Sequence, residues 1–305
     1  MTVPHPSAAP GPGAAGSKAG GRTSRRRPPR AWLGALPLLV FAGLCFGLPA
    51  GALLYGALTR TDPVAGTTEI TGEHLARSLR GPYLTSLIGS VELSALTAVL
   101  ATVLGVLIAQ AVVTSRRGAL RGAVLTASGV LANFGGIPLA FAFVATLGIS
   151  GVVTEIGHLD ALGWNLYSFT GLTVIYLYFL IPLMVLVVVP ALDGLRPQWR
   201  EAALNTGATT WQFWRHVGLP VLAPSLLGGF VLLFGSAFAA HATAAALVGG
   251  SVPLVTLKIA DALSGNVLVG QENVALALSL DMIVIAGLVM AVYLPLQRRS
   301  SRWLR

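Results

Sequence analysis

Charge is scarce in this chain: of 305 residues only 10% are Asp, Glu, Lys or Arg, whereas 54% are hydrophobic and the mean hydropathy is +0.77. An ordinary soluble domain carries about 25% charge, so the composition excludes a water-soluble globule and requires a bilayer. Cysteine is nearly missing too. Cys45 stands alone, which rules out an intrachain disulfide and a cysteine metal cluster and leaves the redox compartment unreadable. Lysine occurs only at Lys18 and Lys258, so 18 of the 20 basic residues are arginine, a bias that reflects genome composition. No Ser/His/Asp set or His/Glu metal spacing appears among five scattered histidines, so no catalytic or metal site is expected. There is no GxxxxGK[ST] phosphate loop, and the chain therefore does not hydrolyse ATP itself.

What the sequence does have is long apolar runs. A helix needs roughly 20 mostly apolar residues to cross the hydrocarbon, and six stretches qualify: 31–58, 84–113, 123–147, 171–189, 221–248 and 274–296. Their apolar residues cover every side, as expected of helices surrounded by lipid or by other helices. Pro49, Gly105, Pro138 and Pro182 are tolerated in such helices. The fold expected is all-α and polytopic. Residues 1–30, rich in Pro, Gly, Ala, Ser and Arg, are too poor in apolar side chains to fold alone and read as a disordered basic tail. The run after them is about twice as long as the 7–15 residues of a cleavable signal core, so it reads as an uncleaved first span.

The net charge of +9 is asymmetric along the chain. Lys18, Arg22, Arg25, Arg26, Arg27 and Arg30 precede the first span; Arg116, Arg117 and Arg121 join the second to the third; Arg196, Arg200 and Arg215 join the fourth to the fifth; Arg298, Arg299, Arg302 and Arg305 follow the sixth. The opposite loops hold Arg60, Arg77, Arg80 and Lys258, with the acids Asp62, Glu69, Glu73, Glu155, Asp160, Asp261 and Glu272. By the positive-inside rule both termini are cytoplasmic, and nucleic-acid binding is not needed to explain the arginines.

The loop between the fourth and fifth spans is the most specific segment. Pro197 presets φ for a first helical turn and Gly207 supplies a left-handed stop, so Pro197 to Thr206 reads as a short helix. Ala202 and Ala203 leave one face small. Thr209 and Gln212 have capping-box spacing and open a second short helix through Trp211, Phe213 and Trp214, which Leu219-Pro220 ends where the fifth span begins. Trp199, Trp211 and Trp214 are expected at headgroup level. Shape alone would also fit an amphipathic interfacial loop with no partner.

Glu201-Ala202-Ala203, three residues, Gly207, nine residues, then Val217-Gly218-Leu219-Pro220 resembles the cytoplasmic docking loop of bacterial ABC-importer permeases, with Val217 where Ile is usual. The resemblance covers roughly residues 80–297. It implies a five-helix permease core (84–297, with the docking loop at 191–220), one added N-terminal helix (31–58), an external loop (59–83) and a basic cytoplasmic tail (298–305). It further implies that Glu201, Ala202, Ala203, Gly207, Leu219 and Pro220 dock a separate ATP-binding subunit, Glu201 locking the loop by bonding backbone amides or an arginine of the loop or the partner. A second permease subunit, the same or a different chain, and an extracytoplasmic solute-binding protein complete the implied complex in the bacterial inner membrane. This chain binds no cofactor; the partner consumes the ATP. The stretches Asn133 to Phe141 and Ile181 to Met184 look most like the spermidine/putrescine branch, whose neighbours import iron, thiamine, phosphonates or sulfate.

Polar residues inside the spans are candidates for the pathway. Glu92, His241 and Asp281 fall in one layer, roughly 10–14 Å below the outer face, and intramembrane carboxylates mark pathways or relays by default. Hydrogen bonding to a neighbouring helix is the plainer reading. Asn133, with Gly135, Gly136 and Pro138, interrupts the third span, exposing backbone to solute or merely kinking it. Gly235, Ala239, Thr243 and Ser236, Ala240, Ala244 recur at fours along the fifth span and suit close helix packing; Tyr176 and Tyr178 are ambiguous. Val152, Val153, Ile156 and Leu159 suggest a short surface helix, and the outer loops 149–170 and 249–273 are expected to meet the binding protein. The rival functions are an ion-coupled secondary transporter using Glu92 and Asp281, and a membrane scaffold or channel component.

Overall fold

In lipid every backbone polar group must find its partner within the segment, and each apolar run accordingly becomes helix. The computed structural model describes residues 36–61, 68–115, 117–264 and 272–301. The basic tail 1–30, Asp62, Arg116, part of the outer loop (265–271) and residues 302–305 lie outside the described residues. Among those described, six helical stretches are long and apolar enough to cross a membrane: Leu36–Leu58, Gly81–Thr114, Ile137–Gly157, Phe169–Asp193, Thr210–Phe238 and Glu272–Arg298.

The chain divides into two units, Met1–Leu48 and Pro49–Arg305. In the first, α1 (Leu36–Ala42) runs into a π-helical turn (Gly43–Gly47) and buries no residue. All of α2 (Leu48–Leu58) but its first residue belongs to the second unit, and a two-stranded antiparallel ribbon follows, β1 (Thr59–Thr61) and β2 (Thr68–Ile70), with Arg60 opposite Glu69. Then come α3 (Glu73–Ser78), α4 (Gly81–Thr114), α5 (Gly118–Asn133), α6 (Ile137–Leu147), α7 (Val152–Gly157) and α8 (Phe169–Asp193). They are followed by α9 (Pro197–Asn205), α10 (Thr210–Phe213), α11 (Leu219–Phe238), α12 (Ala242–Leu247), α13 (Val255–Leu263) and α14 (Glu272–Ser301).

α8 is the hub, packed on α4, α5 and α11, and α11 also meets α4 and α14. Glycine lets these axes approach. Met184 of α8, fully buried, sits between Gly105 of α4 and Gly229 of α11: a methyl on Gly105 would lie 2.6 Å from its Cβ, and one on Gly229 2.7 Å from its Sδ. At one end of the bundle α13 rides over α4 and α14. There Ser90 Oγ accepts the Val255 amide at 2.8 Å, and Gly89 leaves room for the Pro253 carbonyl.

Two expected spans are broken. The third splits into α5 and α6 because Gly136 adopts φ +77 and ψ −152, a backbone conformation that suits glycine. Asn133 Nδ2 closes the last turn of α5 by donating to the Gly129 carbonyl at 2.9 Å. The fifth splits at Ala239–His241, so the fours-spaced stripe of small residues does not run along one continuous helix. The breaks meet. Gly136 N–H donates to Thr243 Oγ1 at 3.0 Å, α6 packs on α12, and the Tyr176 hydroxyl of α8 donates to the Ala240 carbonyl at 2.8 Å.

Candidate functional site

The loop between α8 and α11 is built by local rules. Pro197 occupies the first turn of α9, where its missing N–H costs nothing. At the far end Gly207, at φ +83, donates its N–H to the Leu204 carbonyl and Ala208 donates to the Ala203 carbonyl, both at 3.0 Å. This 6→1, 5→2 pair is the Schellman closure. Thr209 Oγ1 accepts the Gln212 amide at 3.2 Å while Gln212 Oε1 accepts the Thr209 amide at 2.7 Å, completing the capping box. Both ends of the turn between α9 and α10 are therefore hydrogen-bonded with no help from the spans.

Three details depart from expectation. Leu219-Pro220 does not end the segment: helix continues through a π-helical turn (Trp214–Gly218) straight into α11. Pro220 cannot donate and its ring would crowd the carbonyl four residues back; the wider π turn just ahead of it accommodates both. Trp214 does not reach outward but packs on the core against Phe213, ring centroids 6.0 Å apart, and a methyl on Gly218 would meet its ring at 2.5 Å. Trp199 and Trp211 are exposed. Finally, Glu201 is exposed and makes no hydrogen bond or ion pair among the described residues.

Two grooves flank α9. One, of about 380 Å³, is lined by Gln110 of α4, Leu192 of α8, Arg196, Arg200, Glu201 and Trp214. The other, about 420 Å³, is lined by Ala203, Thr206, Gly207, Gln212, His216 and Val217. Ala203 is half-buried and Ala202 exposed, leaving a small-residue surface beside an unpaired carboxylate.

The candidate pathway residues are not joined to one another. No hydrogen bond or ion pair links Glu92, His241 and Asp281 among the described residues. Glu92 is exposed on the same face of α4 as Ile88, Leu96 and Val103. Asp281 is 8% exposed where α14 meets α3, with the Ser78 hydroxyl in hydrogen-bonding reach of its carboxyl and Oδ2 unpartnered. His241 stands in the break between α11 and α12, its Nδ1 enclosed and unpartnered. Asn133 is spent on its own helix end.

Sequence reasoning missed three features. The Gly136–Thr243 and Tyr176–Ala240 bonds join residues 107 and 64 positions apart, and an ion pair ties Arg121 of α5 to Asp193 at the foot of the loop. For the first, the glycine pair inside an apolar run was the available signal; Asp193, the last residue of α8 beside a polar segment, gave none.

The described residues form a multi-span helical bundle with two of the expected spans broken and a doubly capped helical hook between α8 and α11. Residues 101–305 match the family model of the binding-protein-dependent transport system inner membrane component, and the chain belongs to that family, a non-catalytic class. Over 68 residues (22% of this chain, 24% of the relative) it is 41% identical to the sulfate transport system permease protein CysT of Escherichia coli (strain K12). Over 94 residues (30% of each) it is 34% identical to the inner membrane ABC transporter permease protein YdcU of the same strain. Over 122 residues (39% of this chain, 22% of the relative) it is 28% identical to the thiamine transport system permease protein ThiP of Haemophilus influenzae. The matched stretches thus span less than a third of these relatives. The fold is similar to that in the crystal structure of a bacterial ABC transporter involved in the import of the acidic polysaccharide alginate: TM-score 0.64 at 18% identity, over 89% of this chain and 94% of that one. Membership of this family leaves no ground for the ion-coupled carrier.

Proposed function

We propose that this chain is the membrane-spanning permease subunit of an ATP-driven importer, and that the hook from Glu201 to Pro220 docks a separate cytoplasmic ATPase. The observation that carries this is the rigid, doubly capped turn with Glu201 unpaired between two grooves. A part that holds its shape alone while presenting an exposed carboxylate with no partner within the described chain is suited to a partner's donors. The arginine asymmetry supports an inner-membrane, multi-pass orientation with both termini and the hook cytoplasmic. The partners proposed are the ATPase, a second permease subunit, an extracytoplasmic binding protein meeting the loops around α7 and α13, and the bilayer.

The solute is small and hydrophilic, and a polyamine is the class we favour. A carboxylate at mid-bilayer depth is strongly disfavoured against lipid, so the face of α4 bearing Glu92 is assigned to the water-filled path between subunits, where it attracts cations. Co-reconstitution with the candidate ATPase and binding protein tests this. Glu201→Ala should lower both ATPase association and ATP-driven uptake about tenfold or more, the value of a charge-assisted bond. Unchanged association and uptake would sink the docking role.

A further inference from the structure

We propose that the furrow between α11 and α14 seats one acyl chain of an anionic phospholipid, an inference that stands apart from the importer reading. The furrow has a volume of about 350 Å³, and its walls include Leu227, Phe230 and Val231 of α11 and Leu288, Val292 and Leu296 of α14. Among the described residues no charged side chain lines it, and its one polar side-chain group is the Tyr293 hydroxyl. Gly228 leaves room for that half-buried ring, since a methyl there would lie 3.0 Å from the hydroxyl oxygen. From Leu288 to Leu296 the α14 wall rises about 12 Å, close to the roughly 15 Å of hydrocarbon in one leaflet. The furrow is therefore as deep as a single leaflet, and it opens at the basic end of α14.

Charge selects the occupant. Arg298, exposed, stands two residues beyond Leu296, and Arg299, Arg302 and Arg305 follow it in the sequence. The chain has no Asp or Glu from 202 to 260 or after Asp281, so α11 and the basic half of α14 supply no carboxylate. A second copy or another subunit seated in the furrow obeys the same positive-inside rule and brings its own cations to this mouth, where like charges repel. A lipid phosphate brings the opposite charge and accepts hydrogen bonds from guanidinium groups, and basic clusters beside a span suit anionic headgroups. One ligand thus matches both parts, an apolar slot one leaflet deep and a cationic rim.

Native mass spectrometry of the full chain in detergent, titrated with phosphatidylglycerol or phosphatidylcholine, reads the site directly. The parent should retain phosphatidylglycerol in preference to phosphatidylcholine. Arg298→Gln should lower that preference about fivefold, the value of one basic residue near an anionic surface, whereas Arg298→Lys should keep it. Val292→Trp, at a position 61% exposed, fills the slot and should abolish retention. Val284→Trp, 52% exposed on the same helix but outside the furrow, should leave retention unchanged. Equal retention of the two lipids, indifference to Val292→Trp, or equal loss from both tryptophans would overturn the assignment. So would a purified dimer that Val292→Trp dissociates, which would give the furrow to a second copy. No ATPase or solute enters the measurement, so its failure leaves the importer reading standing, and absent ATP-driven uptake leaves the lipid site standing.

Discussion

Gly207 offers the sharpest test of the hook, because its contribution can be worked from backbone geometry alone. Nothing lies within 4 Å of a methyl placed on it, so a substitution meets no neighbour and its whole cost is the φ of +83. For an L-residue the left-handed region costs about 1–2 kcal/mol; asparagine tolerates it better and β-branched residues worse. α9 has nine residues, below the roughly 12–15 at which an isolated helix becomes marginal in water, so its closure matters. A loss of that size cuts the closed population about 5–30-fold. Hydrogen exchange of the full chain in nanodiscs reads it at the Gly207 and Ala208 amides, which the closure protects. Gly207→Ala should exchange about 5–30-fold faster, Gly207→Val at least as fast, and Gly207→Asn close to the parent. If alanine equals glycine, or asparagine is as damaging as valine, the conformational argument fails.

Gly229→Ala should destabilise the detergent-solubilised protein by about 1–3 kcal/mol through overpacking, and Met184→Ala should remove that cost because the clash is with the flexible Sδ end. Gly105→Ala, which meets the Met184 Cβ and sits 3.3 Å from the Ile181 carbonyl, should not be rescued; equal coupling in the two thermal-melt cycles would refute the packing described. His74 of α3 is 6% exposed with both ring nitrogens unpartnered. Burial holds its pKa below the usual 6.5, with Arg77 and Arg60 acting in the same direction and Glu73 opposing. Protonation therefore favours the unfolded chain: the stability from neutral His74 is complete above pH 6.5 and declines as pH falls from there toward the folded-state pKa. Melting temperatures of the parent and of His74→Leu should diverge below that pH, and parallel curves would remove the effect.

Much of the hook was readable from the chain because its contacts span three to five residues. Pro197, Gly207 and the Thr209–Gln212 pair act within one or two helical turns, and their hydrogen bonds follow from spacing. What happens at Pro220 was not readable in the same way. Proline usually punctuates, but a π turn ahead of it keeps the helix running, and local sequence did not specify that choice. Nor did the rule that polar residues in spans cluster bring Glu92 and Asp281 together, since a shared depth says nothing about which side of each helix faces which neighbour.

By itself the sequence determined the solvent in which this protein lives, the number of its apolar spans and the caps of its hook, but not the limits of the third and fifth spans. Transfer free energy and short-range hydrogen bonding are summed along the chain. The tertiary structure alone decided that the breaks after Asn133 and Phe238 meet, that Met184 fits between two glycines on different helices, and that Glu201 stays unpaired. Those outcomes depend on which surfaces touch once segments 64 to 165 residues apart have packed.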